Sequence, residues 1–285
     1  MRFTGRHITT YTYSAPVFLE PHKIRLRPRS DPGQFLREFS IDIDPTPDGI
    51  TESLDAWGNN VTWAWFSGTH DKLQITTCFV ADRLRVNPFD FVVPTQEGAT
   101  LPPAYPADER AALVPYFSSE PGPKVRRLAE DVAERSGGMV VDFATALVER
   151  IYQDVTYVVR PEGSPMRGQE TLAAREGSCR DMAVLYIEAC RHVGIAARFV
   201  SGYVDLDLEG SPREMHAWAG VHVPGAGWRG FDPTQGLAVS TGHITIATAA
   251  NSAGAAPVTG SFLGTGVEAT LESTIDLEVA PNGAA

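Results

Sequence analysis

Three side chains in the C-terminal half have the types needed for nucleophilic chemistry: Cys179, His216 and Asp232. Cys179 lies in Gly177-Ser178-Cys179-Arg180-Asp181, His216 in Met215-His216-Ala217-Trp218 and Asp232 in Phe231-Asp232-Pro233-Thr234. A thiol attacks as its thiolate, so it needs an electropositive neighbour. An imidazole supplies one, and a carboxylate on the far ring nitrogen turns the near nitrogen toward sulfur. The chemistry such a set performs is acyl transfer, with backbone N–H groups stabilising the carbonyl oxyanion.

The elements that must bring these groups together can be read locally. Met182, Leu185, Tyr186, Ala189, Cys190 and Val193 recur at helical spacing, which predicts a helix over Arg180–Val193 stopped by Gly194. Cys179 then stands at the helix entrance, where unpaired N–H groups and the dipole favour an anion. Cys190 falls on the buried stripe of the same helix and reads as packing. Ala197–Val204, His216–Val223 and Trp228–Asp232 read as strands.

Register decides whether the last two groups can meet, because strand side chains alternate faces. A two-residue turn at Gly225-Ala226 would set Asp232 opposite Ala219 and turn His216 to the other face. A loop centred on Gly225 sets Asp232 opposite Trp218, with His216 the diagonal neighbour at about 7–8 Å. An odd-length loop or bulge near Gly225–Gly227 is therefore expected, with glycine supplying positive φ. Trp218 then lies beside the imidazole, where it shapes the site by shielding the pair from water or simply packs the sheet.

Taken with Ala196-Ala197-Arg198-Phe199-Val200-Ser201-Gly202-Tyr203 and Gly227-Trp228-Arg229-Gly230-Phe231-Asp232-Pro233-Thr234, these blocks resemble the core of the transglutaminase-like superfamily. His22-Lys23-Ile24-Arg25-Leu26-Arg27-Pro28-Arg29 and Asp55-Ala56-Trp57-Gly58-Asn59 are similar to the β-domain that precedes this core in bacterial members. The resemblance runs to about residue 240; the tail beyond Gly242 matches no motif. It implies an α+β protein: an N-terminal β-rich, sandwich-like domain, then a papain-like core with the catalytic cysteine at a helix N-terminus packed on an antiparallel sheet. It also implies catalytic roles for Cys179, His216 and Asp232. The superfamily holds transglutaminases, cysteine proteases and glycopeptide amidases, and members that have lost the cysteine.

Residues 1–95 carry alternating or β-branched runs such as Ile8–Tyr13, Phe39–Ile43 and Leu73–Val80. Cys78, inside one of them, is expected to be a small core residue. In His22–Arg29, Ile24 and Leu26 are expected to face inward and the cations outward into solvent. Residues 96–122 are Pro-rich and read as a linker, and 123–285 as the catalytic domain, with further helices near Lys124–Arg135 and Phe143–Asp154.

Composition bounds the function classes. A net charge of −11 argues against a nucleic-acid partner, and no segment has the length and apolarity of a membrane span. Cys78, Cys179 and Cys190 form no disulfide framework, and the first residues have no apolar run of the kind that marks a signal peptide, so a cytoplasmic setting is expected. Gly225–Gly230 matches G-x-G-x-x-G but sits between strands and leads into no helix. Asp205, Asp207, Glu209 and Gly210 begin like a calcium loop but lack its final carboxylate. No metal and no cofactor are expected.

Each of the three residues alone has an ordinary reading: a structural thiol, a strand histidine, a turn-starting aspartate. Their joint arrangement favours an enzyme acting on a protein or peptide amide, with hydrolysis preferred. Transfer to an amine acceptor, as in a protein-glutamine transglutaminase, uses the same groups. A peptide-binding or assembly module with an idle site is the alternative from another class.

Overall fold

The computed structural model describes residues 1–160, 163–205 and 214–282. The considered calcium-loop positions Asp207, Glu209 and Gly210 lie outside the described residues. The fold is α+β, a strand-rich N-terminal region followed by helices packed on a second, antiparallel sheet.

The N-terminal region contains β1 (Arg2–Leu19), β2 (His22–Ile24), β3 (Gln34–Asp44), β4 (Gly49–Leu54), β5 (Asn60–Trp65) and β6 (His70–Arg83). β1 pairs with β6, and β6 with β3; β2, β5 and β4 form a second sheet. The inward sides of these strands bury Phe3, Leu19, Ile24, Leu26, Leu73, Ile75 and Phe79, as period-two alternation requires. Cys78 is a correction to its expected place: it faces outward and is exposed, while Phe79 takes the core face. Arg25 also departs from expectation. It is buried, with Nε 3.1 Å from Asp55 Oδ2 and Nη1 donating to Ala256 O, because chain far later in the sequence covers that face.

Residues 96–122 are not an extended tether. They hold α1 (Gln96–Ala99), α2 (Ala107–Leu113) and a short 3-10 turn at Val114–Tyr116, pinned to the core by Tyr105. The Tyr105 hydroxyl donates to His222 O and accepts from Ala196 N–H.

Then come α3 (Pro123–Arg135), α4 (Val140–Asp154), β7 (Thr156–Tyr157), α5 (Gly168–Ala174), β8 (Glu176–Gly177) and α6 (Cys179–His192). The stripe of α6 is buried as its spacing predicts, with Leu185, Tyr186, Ala189 and Cys190 fully inside. Tyr186 stacks on Phe231 and donates its hydroxyl to Ala144 O, so one side chain ties α6 to the sheet and to α4. The sheet under α6 is antiparallel and made of β9 (Ala197–Val204), β10 (His216–Val223), β11 (Gly227–Asp232), β12 (Leu237–Ala238) and β13 (His243–Ala249), in the order β12-β11-β10-β9-β13.

The remaining chain does not extend this second unit, contrary to the expected boundary at 285. It forms β14 (Val258–Thr259), β15 (Phe262–Leu263) and β16 (Ala269–Ala280), which pair with β2, β1 and β1. β16 runs along β1 from Tyr13↔Ala269 to Arg2↔Ala280. The physical reason is the free edge: an 18-residue strand with unpaired N–H and C=O groups would otherwise be open to aggregation.

The two halves are held by side chains that act as strand partners. Gln34 and Asn59, both fully buried, each exchange a donor and an acceptor with the outer edge of β13, at Thr245 and Thr248. The edge strand of the core sheet is thereby satisfied by amides from the N-terminal sheets. No helix among the described residues is long and apolar enough to cross a membrane.

Candidate active site

β10 and β11 pair Ala219 with Phe231, His222 with Trp228 and Val223 with Gly227. The connection is the three residues Pro224-Gly225-Ala226, with positive φ at Gly225 (79°) and Gly227 (69°). This odd loop is the register that alternation demanded, and it puts His216 and Asp232 on one face. His216 Nε2 donates to Asp232 Oδ2 at 2.8 Å, and both residues are buried.

Cys179 occupies the first position of α6. Its N-cap, Ser178, donates both N–H and hydroxyl to Asp181 Oδ2 at 2.8 Å. The thiol lies close enough to the His216 imidazole to raise its pKa. With Nε2 committed to Asp232, Nδ1 is the nitrogen left for sulfur. Burial alone would lower the His216 pKa, but the charge and hydrogen bond of Asp232, with the Cys179 contact, raise it to about 10. Burial alone would raise the Asp232 pKa; the charge and hydrogen bond of His216 and the hydrogen bond of His243 hold it well below the usual carboxylate range.

The second imidazole is His243, at the start of β13, which the sequence had offered no context for. Its Nε2 lies 3.0 Å from Asp232 Oδ2, while its Nδ1 is buried without a partner. Burial keeps its pKa below the ordinary value, so it is a neutral donor through Nε2. Gln235 Nε2 donates to the same oxygen at 3.0 Å; Thr234 N–H and hydroxyl donate to Oδ1 at 2.9 and 2.6 Å. Asp232 thus accepts five hydrogen bonds, enough to hold a carboxylate ionised in a dry setting. His216, Asp232 and His243 also bring donor atoms within 4.8 Å of one another, and they are the residues that could hold a metal. At 2.8 and 3.0 Å the N–O contacts are hydrogen bonds whose protons a metal would have to displace.

Trp218 is buried and stacks on His216 with centroids 6.1 Å apart; its edge contact with His243 is at 5.0 Å. Gly202 makes room for it, since a Cβ there would come within 2.7 Å of Trp218 Cη2. The indole packs with Val200 and Val239 on the sheet face, in contact with both imidazoles.

Two further groups went unassigned by sequence reasoning. Asp181, fully buried, accepts from Arg160 Nη1 with both oxygens at 2.7 Å and from Met166 N–H at 2.7 Å, besides Ser178. It binds the cysteine turn to Arg160 and Met166. Tyr157, in the parallel pair β7–β8 opposite Gly177, lies close enough to Cys179 for the two to interact electrostatically. Burial, with the charges of Cys179, Glu214 and Asp232, pushes its phenol up to about 12, so it remains a proton donor.

Residues 126–233 match the transglutaminase-like superfamily, and residues 4–82 match the bacterial transglutaminase-like N-terminal region. Uncharacterized protein Rv2569c of Mycobacterium tuberculosis is 28% identical over 97% of this chain and 92% of its own length. Uncharacterized protein ML0607 of Mycobacterium leprae is 25% identical over 91% and 92%. A solved structure of a proposed cysteine protease from Cytophaga hutchinsonii shares the fold with a TM-score of 0.72, at 22% identity, over 98% of this chain and 90% of that one. Residues 126–233 thus form a core of the transglutaminase-like superfamily, preceded at residues 4–82 by the N-terminal region of its bacterial members.

Proposed function

We propose that the protein is a thiol-dependent hydrolase of amide bonds in proteins or peptides, with Cys179 as nucleophile, His216 as its acid–base partner and Asp232 as the group that orients and charges the imidazole. The observation that carries this reading is the His216 ring, hydrogen-bonded to Asp232 Oδ2 at 2.8 Å and near enough to the Cys179 thiol for the two to interact. Superfamily membership supports a thiol-dependent enzyme at the coarser level.

In the proposed reaction the Cys179 sulfur attacks the amide carbonyl carbon. The first N–H groups of α6, which have no intrahelical acceptor, face the developing oxyanion, with the Tyr157 hydroxyl as second donor. Imidazolium His216 gives its Nδ1 proton to the leaving amine as the C–N bond breaks. Water then attacks the thioester, His216 takes its proton, and the acid and free thiol are released. Trp218 keeps bulk water from the imidazole–carboxylate side, where low dielectric strengthens the pair.

The test is product analysis by mass spectrometry on glutamine- and asparagine-containing peptides, with and without an added primary amine. Free acid or cleaved peptide in both conditions, and none from Cys179→Ala, is the expected result. Amine incorporation at the expense of water would instead assign the transglutaminase reaction, and no turnover of any acyl substrate would leave a binding module.

A further inference from the structure

At the other end of the core sheet's site-bearing face, away from Cys179, three guanidinium groups gather around one tyrosine. Arg29 comes from the N-terminal region, Arg191 from the last turn of α6 and Arg198 from β9, and each interacts electrostatically with Tyr116. Among the described residues none of the three forms an ion pair. Arg29 donates to Trp57 O, Gly58 O and Asn59 Oδ1 through Nη1 alone, and Arg191 is held in place by Ala197 O, Ser118 O and Ala250 O and contributes its charge. Arg198 donates to no acceptor among the described residues, and its Nε is buried.

An unused guanidinium is costly. Arg198 lies over the Trp228 ring at 4.1 Å, which favours the cation and leaves its N–H edge free. Desolvation by burial, followed by the positive charge of Arg29, pulls its pKa down to about 9. Trp228 in turn packs edge-on to Tyr116 at 4.8 Å, and Tyr116 to Trp57 at 5.6 Å. Nearby His222 is neutral, burial and then Arg198 lowering its pKa to about 4, and its Nδ1 is also buried without a partner. In a chain of net charge −11, three guanidiniums here outnumber the two carboxylates within reach, Asp31 and Asp55, in a site walled by aromatic rings.

We infer that Arg198, Arg29 and Arg191 form a binding site for a small oxyanion, a phosphate or carboxylate group, at the junction of the two halves. The donor type fits, since the guanidinium fork matches two oxygens of either group. The site is separate from the thiol. Arg198 pairs with Gly220 and His216 with Gly202, four residues along the strand, or about 13 Å, with buried Trp218 and Val200 between. Because Arg29, Tyr116 and Arg198 belong to the N-terminal region, the connecting segment and the core, the anion would clamp all three.

The experiment is calorimetric titration of the full chain with inorganic phosphate, and separately with phenyl phosphate, against chloride at equal ionic strength. Saturable binding with a raised melting temperature is expected for at least one probe, and the stronger of the two separates a bare anion from a group on an aromatic body. Arg198→Gln should weaken binding roughly tenfold to a hundredfold, as for lost hydrogen bonds to a charged group. Alkylating Cys179 should leave the binding unchanged. Unaltered affinity in Arg198→Gln, loss on alkylation, or a response that follows ionic strength alone would each overturn the site. Should Arg198→Gln fail to fold by circular dichroism, Arg198→Lys retains charge and stem but not the fork; weaker phosphate binding supports the site, and wild-type affinity overturns it.

Discussion

His243 donates its Nε2–H to Asp232 Oδ2 at 3.0 Å, the same oxygen that His216 reaches at 2.8 Å. Two imidazoles on one carboxylate have different jobs. His216, its pKa raised, stands beside Cys179, and His243, buried and neutral, holds the oxygen from behind. His243→Ala should therefore lower kcat about tenfold with little change in KM, and cost about 1.5–3 kcal/mol for a lost hydrogen bond to a buried charge. His243→Gln, which retains a donor, should recover part of both. Steady-state kinetics and denaturant unfolding on the pair check this; wild-type behaviour of His243→Ala would remove the role.

The pH dependence of stability has a definite sign. The folded His216 pKa, about 10, stands above its unfolded value of about 6.5. Its contribution is thus fully present below about pH 6.5 and is lost as pH rises toward 10. The difference in unfolding free energy between wild type and His216→Gln should shrink across that interval. Asp232, whose folded pKa is depressed, adds the opposite limb, with stability lost as pH falls below about 4. A difference that grows between pH 6.5 and 10 would contradict the charged pair.

Asp181 should matter more for the cysteine turn than its distance from any chemistry suggests. Asp181→Ala leaves the Ser178 donors, Met166 N–H and Arg160 without their acceptor. Arg160 is part exposed, so the cost should sit at the low end for a broken buried pair, about 3 kcal/mol. Burial raises the Asp181 pKa, but Arg160 and the backbone and Ser178 donors bring it below the ordinary value, so this stability is present above about pH 4 and lost below it. The gap between thermal melts of wild type and variant should be narrower at pH 3.5 than at pH 7, and narrow further as pH falls.

Tyr157→Phe removes one hydroxyl beside Cys179. If that hydroxyl faces the oxyanion, kcat should fall by about a hundredfold while substrate binding holds, as for other single oxyanion donors. Alkylation of Cys179 should be nearly unchanged, because the thiol and its imidazole are intact. Equal losses in alkylation and turnover would mean that Tyr157 acts on the thiol instead.

Much of this site was legible in local pattern. The α6 stripe located Cys179, and face alternation required the three-residue loop that the Pro224–Ala226 connection provides. Both signals depend on neighbours within a few residues of one another. His243 was not legible because its meaning depends on strand order: β13 pairs with β9, three strands from β11, and nothing within His243–Ala249 encodes that neighbour. The return of β16 to β1 was hidden in the same way, since its partner lies more than 250 residues earlier. Arg25 and Cys78 show the limit of alternation itself. It separates two faces of a strand, but which face later chain will cover is a tertiary matter.

The central claim is that Cys179 is the nucleophile and that His216 makes it one, and brief alkylation with iodoacetamide at neutral pH, read by peptide mass spectrometry, tests it most directly. Three thiols compete: Cys78 is exposed on β6, Cys190 is fully buried with its pKa driven up by desolvation, and Cys179 is paired with His216. The prediction is that Cys179 is modified first, that turnover is lost in proportion, and that His216→Ala slows modification at Cys179 without changing it at Cys78. Modification of Cys78 or Cys190 ahead of Cys179, or an unchanged Cys179 rate in His216→Ala, would contradict it.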